Sequence, residues 1–419
     1  MQDVTTESLP FPTISPAILD PLTEVLRRGA QQMLVSAVEA EAAAWIDAHA
    51  HLTDSQGRRQ VVRNGHAEER TVVTSMGPMQ VTMPRVHDRR PEDERELFNS
   101  KILPPYLRKA KVIDELIPWL YLKGISTGDF TEALQALLGR NCPGLSASTV
   151  TRLIEQWQDE HRLWSQRDLS DKQYVYVWAD GIHFNIRLEE PPDNRQCILV
   201  LMGATADGRK ELIAVQDGFR ESEQSWRSLL LDLQHRGLTL APKLVIADGA
   251  LGFWAAARKL LPGAKEQRCW VHKTANVLDK LPKCLRSEAK DKLHQIWMAP
   301  GRAQADKAFD LCIATYESKY PKAVQCLRQD RDELLTFYDF PAEHWCHIRT
   351  TNPIESTFAT VRLRHKKTKG NGSRRACLAM VFKLCQSAEK RWRRLNKHDL
   401  IQDVIVGVKF IDGEKQQAA

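Results

Sequence analysis

Val177-Trp178-Ala179-Asp180-Gly181 and Val245-Ile246-Ala247-Asp248-Gly249 are two apolar runs that close on the same dipeptide. Each reads as a short strand whose final aspartate is held by rigid backbone and faces outward at the edge of a sheet. Asp-Gly is also ordinary turn chemistry, so neither aspartate marks a site by itself. Two such strands as neighbours bring their carboxylates together. With a third carboxylate they form a hard oxygen site suited to Mg²⁺ or Mn²⁺. Two ions about 4 Å apart serve phosphoryl transfer, activating the attacking oxygen and stabilising the leaving one.

Around these runs the pattern is first β-rich, then alternating. Residues 174–178, 182–188 and 197–202 read as short strands with turns between them. A helix at 222–235, a strand at 243–247, a helix at 251–261 and a short strand near 266–271 follow. This order predicts a mixed sheet flanked by helices. Residues 272–346 carry helical patterning and no further strand, which reads as an all-α insertion into the α/β domain. A helix from 353 to about 367 and a basic helix over 376–395 return to the sheet.

The third carboxylate belongs near the positive charge, because it has to meet a phosphate. Residues 361–394 hold twelve Lys or Arg against one Glu, a balance of +11 that exceeds the +7 of the whole chain. Such a strip binds phosphates by releasing condensed counterions, although a solvated helix face has the same composition. Glu355 stands just before it in Thr350-Thr351-Asn352-Pro353-Ile354-Glu355-Ser356, where Asn352 reads as an N-cap and Pro353 as the first helical residue. Arg362, Arg364, Lys366 and Lys367 follow as candidate phosphate contacts. An acid in a first turn also offsets the helix dipole, but that role explains neither Asp180 nor Asp248.

Towards the N-terminus, Ile18, Leu22, Val25, Leu26, Met33, Leu34, Val38 and Ala42 predict a helix over 17–49. Strands at 70–75 and 79–84 are joined through Gly77-Pro78, and 85–96 is read as a charged loop. Helical patterns cover 106–123, 129–138 and 147–164. The last two resemble a helix-turn-helix, with Cys142-Pro143-Gly144 as the turn and Ser146 as N-cap. Val150, Leu153, Ile154 and Trp157 then face inward. Ser148, Thr149, Thr151, Arg152 and Gln156 face outward, where Ser148, Thr149 and Arg152 suit DNA contacts.

The bulk numbers fit this reading. A chain of 419 residues with 42% hydrophobic content supports two or three domains. No apolar run is long enough to cross a membrane, and residues 1–9 lack the basic and apolar pattern of a leader. Nine irregularly spaced cysteines predict reduced thiols and a soluble cytoplasmic protein. Cys269 and His272 have a spacing that zinc accepts, with His344, Cys346 or His347 as distant completing ligands. No second Cys-x-x-Cys pair supports that site, and no orienting group marks the pair as a nucleophile and base.

Five short motifs acquire meaning from their order. They are Arg63-Asn64-Gly65; Tyr121-Leu122-Lys123-Gly124-Ile125-Ser126-Thr127; Asp248-Gly249 through Gly252-Phe253; Gln267-Arg268-Cys269-Trp270-Val271-His272-Lys273; and Thr351-Asn352-Pro353-Ile354-Glu355-Ser356. In this order and spacing the chain resembles the Mutator-type transposases of bacterial insertion sequences over nearly its full length. The resemblance implies an RNase H-like catalytic domain split by the helical insertion, with Asp180, Asp248 and Glu355 as the Mg²⁺ (or Mn²⁺) triad. It also implies an N-terminal region that binds the double-stranded terminal inverted repeats, and action on target DNA as a homodimer or larger assembly. Cys269 and His272 then become a structural or DNA-proximal motif of the core. The alternative is a transposase-derived DNA-binding protein that has lost catalysis.

The expected partition begins with an N-terminal helical region at 1–60 and a β-hairpin with linker at 61–105. A helical DNA-binding region at 106–172 follows, then the first part of the core at 173–272 and the insertion at 273–346. The final basic helices of the core at 347–396 and a tail at 397–419 complete it.

Overall fold

The computed structural model describes residues 21–125, 127–139, 142, 147–189, 195–218, 221–249, 251–367 and 370–416. The chain forms two compact units, one of Met1–Tyr121 with Ile125–Ala147, the other of Leu122–Gly124 with Ser148–Ala419.

In the first unit, helix α1 (Pro21–Ala48) buries Val38 and Ala42. Val38 joins a small core with Val72, Met79, Val81 and Leu103. Leu22, Val25, Leu26 and Met33 are exposed, so of the expected stripe only Leu34, Val38 and Ala42 pack, and Ile18 lies outside the described residues. Strands β1 (Val61–His66) and β4 (Pro84–Asp88) pair antiparallel, as do β2 (Arg70–Thr74) and β3 (Gly77–Val81). The segment expected as a loop from 85 therefore begins as a strand. The hairpin turn is Ser75-Met76, not Gly77-Pro78, since Thr74 pairs with Gly77. Gly77 sits in the strand because φ is +95° and the Leu138 carbonyl occupies the place of a Cβ. Helices α2 (Lys111–Lys123) and α3 (Phe130–Leu138) complete the described part of this unit apart from single turns.

Helix α4 (Ala147–Ser165) runs into the second unit. There the rings of His161 and Trp164 pack on Phe382 at 4.9 and 5.0 Å. The two halves of the expected helix-turn-helix thus fall in different units. Its turn, apart from Cys142, and its cap Ser146 lie outside the described residues.

The second unit is built on a five-stranded sheet in the order β7-β6-β5-β8-β9. These strands are β5 (Tyr174–Asn185), β6 (Arg195–Thr205), β7 (Lys210–Gly218), β8 (Leu244–Ala247) and β9 (Lys265–Arg268). β5 pairs antiparallel with β6 and parallel with β8; β6–β7 is antiparallel and β8–β9 parallel. As the central strand, β5 is apolar on both faces from Tyr174 to Ala179, the composition that two-sided burial demands. Two findings differ from the sequence reading. β5 is one strand where two with a turn were expected, and β7 was not anticipated.

Helices α5 (Glu223–His235) and α6 (Leu251–Leu260) cover one face through Trp226, Leu229, Phe253 and Ala256. They approach closely because residue 252 is glycine: a Cβ there would stand 2.6–2.7 Å from the backbone of Ser222 and Glu223. The other face carries α13 (Asn352–Lys367) and α14 (Arg374–Glu389). Between β9 and α13 the chain is helical throughout, from α7 (Trp270–Leu278) through α8 (Arg286–Trp297), α9 (Arg302–Tyr316), α10 (Pro321–Arg328) and α11 (Arg331–Leu335) to α12 (Trp345–Ile348). Phe309, Leu334, Phe337 and Tyr338 extend the core of this face. Helix α15 (Leu400–Val406) and the two-residue strands β10 (Phe410–Ile411) and β11 (Glu414–Lys415) follow, so the expected tail has structure of its own. Among the described residues no helix is long and apolar enough to cross a membrane, and all nine cysteines are free.

Candidate active site

Parallel pairing of β5 with β8 runs through Trp178↔Ile246 and Ala179↔Ala247. The next residues along are Asp180 and Asp248, so the register sets the two aspartates side by side. Alternation along the strands turns both to the face that carries Trp178 and Ile246. Asp248 follows the last residue of β8 and is half-buried, as expected; its carbonyl accepts from Trp254 Nε1 at 2.9 Å. Asp180 does not end its strand. It lies in the interior of β5, where Val200 of β6 is its partner, and is 5% exposed.

Glu355 arrives from α13 through a set of bonds between two of the sequence motifs. The backbone N–H and the hydroxyl of Thr351 donate to Cys269 Sγ at 3.2 and 3.3 Å. The Thr351 carbonyl in turn accepts from the Ile354 and Glu355 N–H groups at 2.9 and 3.0 Å. Cys269, fully buried at the start of α7, therefore pins the first turn of α13 to the end of β9. The helix begins at Asn352, the expected cap, one residue before the expected first helical position at Pro353. One turn into α7, His272 Nε2 lies 2.9 Å from Glu355 Oε1. Donor atoms of Asp180, His272 and Glu355 all fall within 4.8 Å of one another.

The electrostatics follow from this crowding. Burial pushes the Asp180 carboxyl up to about 7; the His272 charge opposes this, and the Asp248 and Glu355 charges add to it. His272 is raised to about 11 by its bonds to Cys269 and Glu355, and so stands as a cation among carboxylates. Its bond to Glu355 holds that carboxyl below its ordinary value despite partial burial. Asp180 Oδ1 accepts from the Gly181 N–H at 2.8 Å, whereas Oδ2 is buried without a hydrogen-bond partner. An orphaned carboxylate oxygen beside two further carboxylates fits a divalent metal ligand, because burying such an atom otherwise costs free energy.

His344, Cys346 and His347 do not complete a zinc site with Cys269 and His272. His344 meets the Tyr176 hydroxyl at 2.8 Å, and His347 meets Lys210 and Asn396. No group of metal-binding side chains among the described residues unites them with Cys269. Full burial also keeps the Cys269 thiol from a substrate.

The expected DNA contacts divide. On α4, Val150 and Trp157 are buried, Leu153 and Ile154 partly so, and Thr151, Arg152 and Gln156 exposed; Thr149 is intermediate. The Ser148 side chain lies outside the described residues. On α13, Arg362 and Lys366 follow Glu355 by seven and eleven residues, which places them on its face of the helix, and both are exposed, as is Lys367. Arg364, nine residues on, points the opposite way and is 3% exposed, out of reach of a surface phosphate. Arg374 pairs with Asp217 at 2.9 Å and Lys383 with Glu160 at 2.5 Å, so part of the basic strip is neutralised internally.

Sequence reasoning assigned His272 a structural role and gave Arg268 none. The signal for His272 was its i+3 spacing from Cys269, which puts both on one side of α7. Arg268 pairs with Asp330 at 3.3 Å, and its guanidinium fills the space that a Cβ on Gly249 would take.

Residues 8–395 match the family described as Transposase, Mutator family, and the chain belongs to it. The transposase for insertion sequence element IS6120 of Mycolicibacterium smegmatis is 53% identical over 301 residues, 72% of this chain and 92% of that one. The transposase for element IST2 of Acidithiobacillus ferrooxidans is 50% identical over 285 residues, 67% and 94% of the two chains. Among solved structures, the Drosophila P element transposase strand transfer complex aligns with 75% of this chain and 86% of its own, at 11% identity and a TM-score of 0.31. That likeness is too weak to show a shared fold.

Proposed function

We propose that the chain is an active DNA transposase of the three-carboxylate type, with an RNase H-like core. In this reading Asp180, Asp248 and Glu355 hold two Mg²⁺ (or Mn²⁺) ions. Bound there, the ions supply activation of the attacking oxygen and stabilisation of the leaving one. The observation that carries the reading is the β5–β8 register beside the Glu355 turn of α13, together with the unpartnered Asp180 Oδ2. The strand order β7-β6-β5-β8-β9, antiparallel on one side of β5 and parallel on the other, supports the RNase H-like assignment.

The remaining roles fall to the chain's own side chains. His272 fixes the Glu355 rotamer and offsets charge. Arg362 and Lys366, on the Glu355 side of α13, hold the DNA backbone next to the carboxylates. Arg152 and Thr149 on α4 contribute to recognising the terminal inverted repeats. Cleavage at an element end frees a 3′-OH, which the same site aligns on a phosphate of target DNA. The protein works as a homodimer or larger assembly, in the bacterial cytoplasm on nucleoid DNA.

The test mixes purified protein with labelled DNA carrying the element's ends, with and without Mg²⁺, alongside Glu355→Gln. Metal-dependent nicking at the ends and strand transfer, both lost in the variant, are expected. Binding without cutting by the wild type would overturn the reading in favour of a DNA-binding relic.

A further inference from the structure

On the face of β5 opposite Asp180, three side chains meet that the carboxylate site does not use. His183 of β5 and Cys197 of β6 are direct partners across the strand pair. Glu221 comes one residue before Ser222, the side-chain cap of α5. Donor atoms of His183, Cys197 and Glu221 lie within 4.8 Å of one another, and His183 Nε2 is 3.4 Å from Glu221 Oε2. The Glu221 carboxylate reaches this point because residue 181 is glycine: a Cβ there would stand 3.0–3.1 Å from it. Cys197 is buried, and the His183 side chain is 62% exposed, which leaves an entry path from solvent.

We propose that His183, Cys197 and Glu221 bind one Zn²⁺ ion, with water in the fourth position. One nitrogen, one sulfur and one oxygen donor make a set that a borderline-soft ion accepts and Mg²⁺ does not. The cysteine thiol gives up its proton to solvent as the Zn–S bond forms. Two ligands sit on paired strands and the third at the entry to a capped helix, so the ion ties β6 and the start of α5 to β5. Its place is behind the Asp180-Gly181 peptide. The strand that carries Asp180, the most buried of the three site carboxylates, is thereby braced from its far side, by a metal of a different class.

Co²⁺ titrated into the metal-free full chain reads this out without any DNA. One equivalent is expected to give a thiolate-to-cobalt charge-transfer band in the near ultraviolet and the visible bands of a tetrahedral ion. Zn²⁺ displaces both and excess Mg²⁺ leaves both. Cys197→Ser loses the charge-transfer band. His183→Ala, at an exposed position that keeps the fold, loses the tetrahedral bands, with circular dichroism unchanged. Glu355→Gln and His272→Ala keep the full spectrum. A chain that develops no band overturns the proposal, as does a band that survives Cys197→Ser or His183→Ala, or one that His272→Ala removes. Because absorption is the readout, such a failure leaves the transposase reading intact, and loss of cleavage would leave this site intact.

Discussion

Ala179-Asp180-Gly181 and Ala247-Asp248-Gly249 share three residues and a preceding apolar run, yet the backbone treats them differently. β8 ends at Ala247, and Asp248 stands half-buried beyond it. β5 runs through its dipeptide to Asn185, because β6 pairs with it along the whole way, and Asp180 is enclosed. Equal sequence therefore yields unequal carboxylates: one in reach of water, one desolvated with an orphaned oxygen. A strand end suffices to aim an acid at a site. A strand interior aims it more rigidly, at a cost in stability that a bound cation would offset.

The comparison breaks first on activity. Asp248→Asn and Glu355→Gln are expected to lower Mg²⁺-dependent nicking by on the order of 10³-fold, the scale of losing an electrostatic catalytic group. Gel assays on element-end DNA would show it, and wild-type rates in either variant would remove that residue from the site. His272→Ala should cost less, about 10- to 100-fold, since it acts through Glu355. A raised Mg²⁺ requirement should accompany the loss, and an unchanged Mg²⁺ dependence would reduce His272 to packing.

Stability sharpens the contrast. An acid whose carboxyl is raised on folding costs stability once it ionises. For Asp180 that cost is absent below pH ~4, grows as the unfolded chain ionises first, and is complete above about 7. Asp180→Asn should therefore raise the metal-free melting temperature by several degrees at pH 8, taking ~2–4 °C per kcal/mol for a domain of this size. The gain should vanish near pH 4. The smallest effect concerns the glycines. Gly249→Ala displaces the Arg268 guanidinium and should cost about 1–3 kcal/mol in denaturant unfolding. Gly181→Ala asks the Glu221 carboxylate to move only a few tenths of an ångström and should cost under about 1 kcal/mol.

What the sequence revealed follows the same division. Asp248, the alternation of helix and strand after it, and the first turn of α13 were legible because local rules and tertiary structure agree there. β5 was misread as two strands because Asp-Gly favours turns, and pairing with β6 overrides that preference. β7, with Lys210, Glu211, Gln216 and Asp217 among its nine residues, has too little apolar alternation to announce a strand. Lys210 is buried there by its bond to the Arg393 carbonyl, a contact no local pattern encodes. Arg364 was counted with the basic strip because charge was summed along the chain, whereas helical phase turns it inward. The bond from Thr351 to Cys269 spans 82 residues, so the docking of Glu355 became visible only in the fold.

Asp180 is the carboxylate on which the three-residue site most depends, and its strand position was not legible in the sequence. Cleavage of element-end DNA by Asp180→Asn, at saturating Mg²⁺ and with the fold checked by circular dichroism, tests it most directly. A loss as deep as that of Asp248→Asn is the expected result. Nicking at the wild-type rate would contradict a site made of Asp180, Asp248 and Glu355.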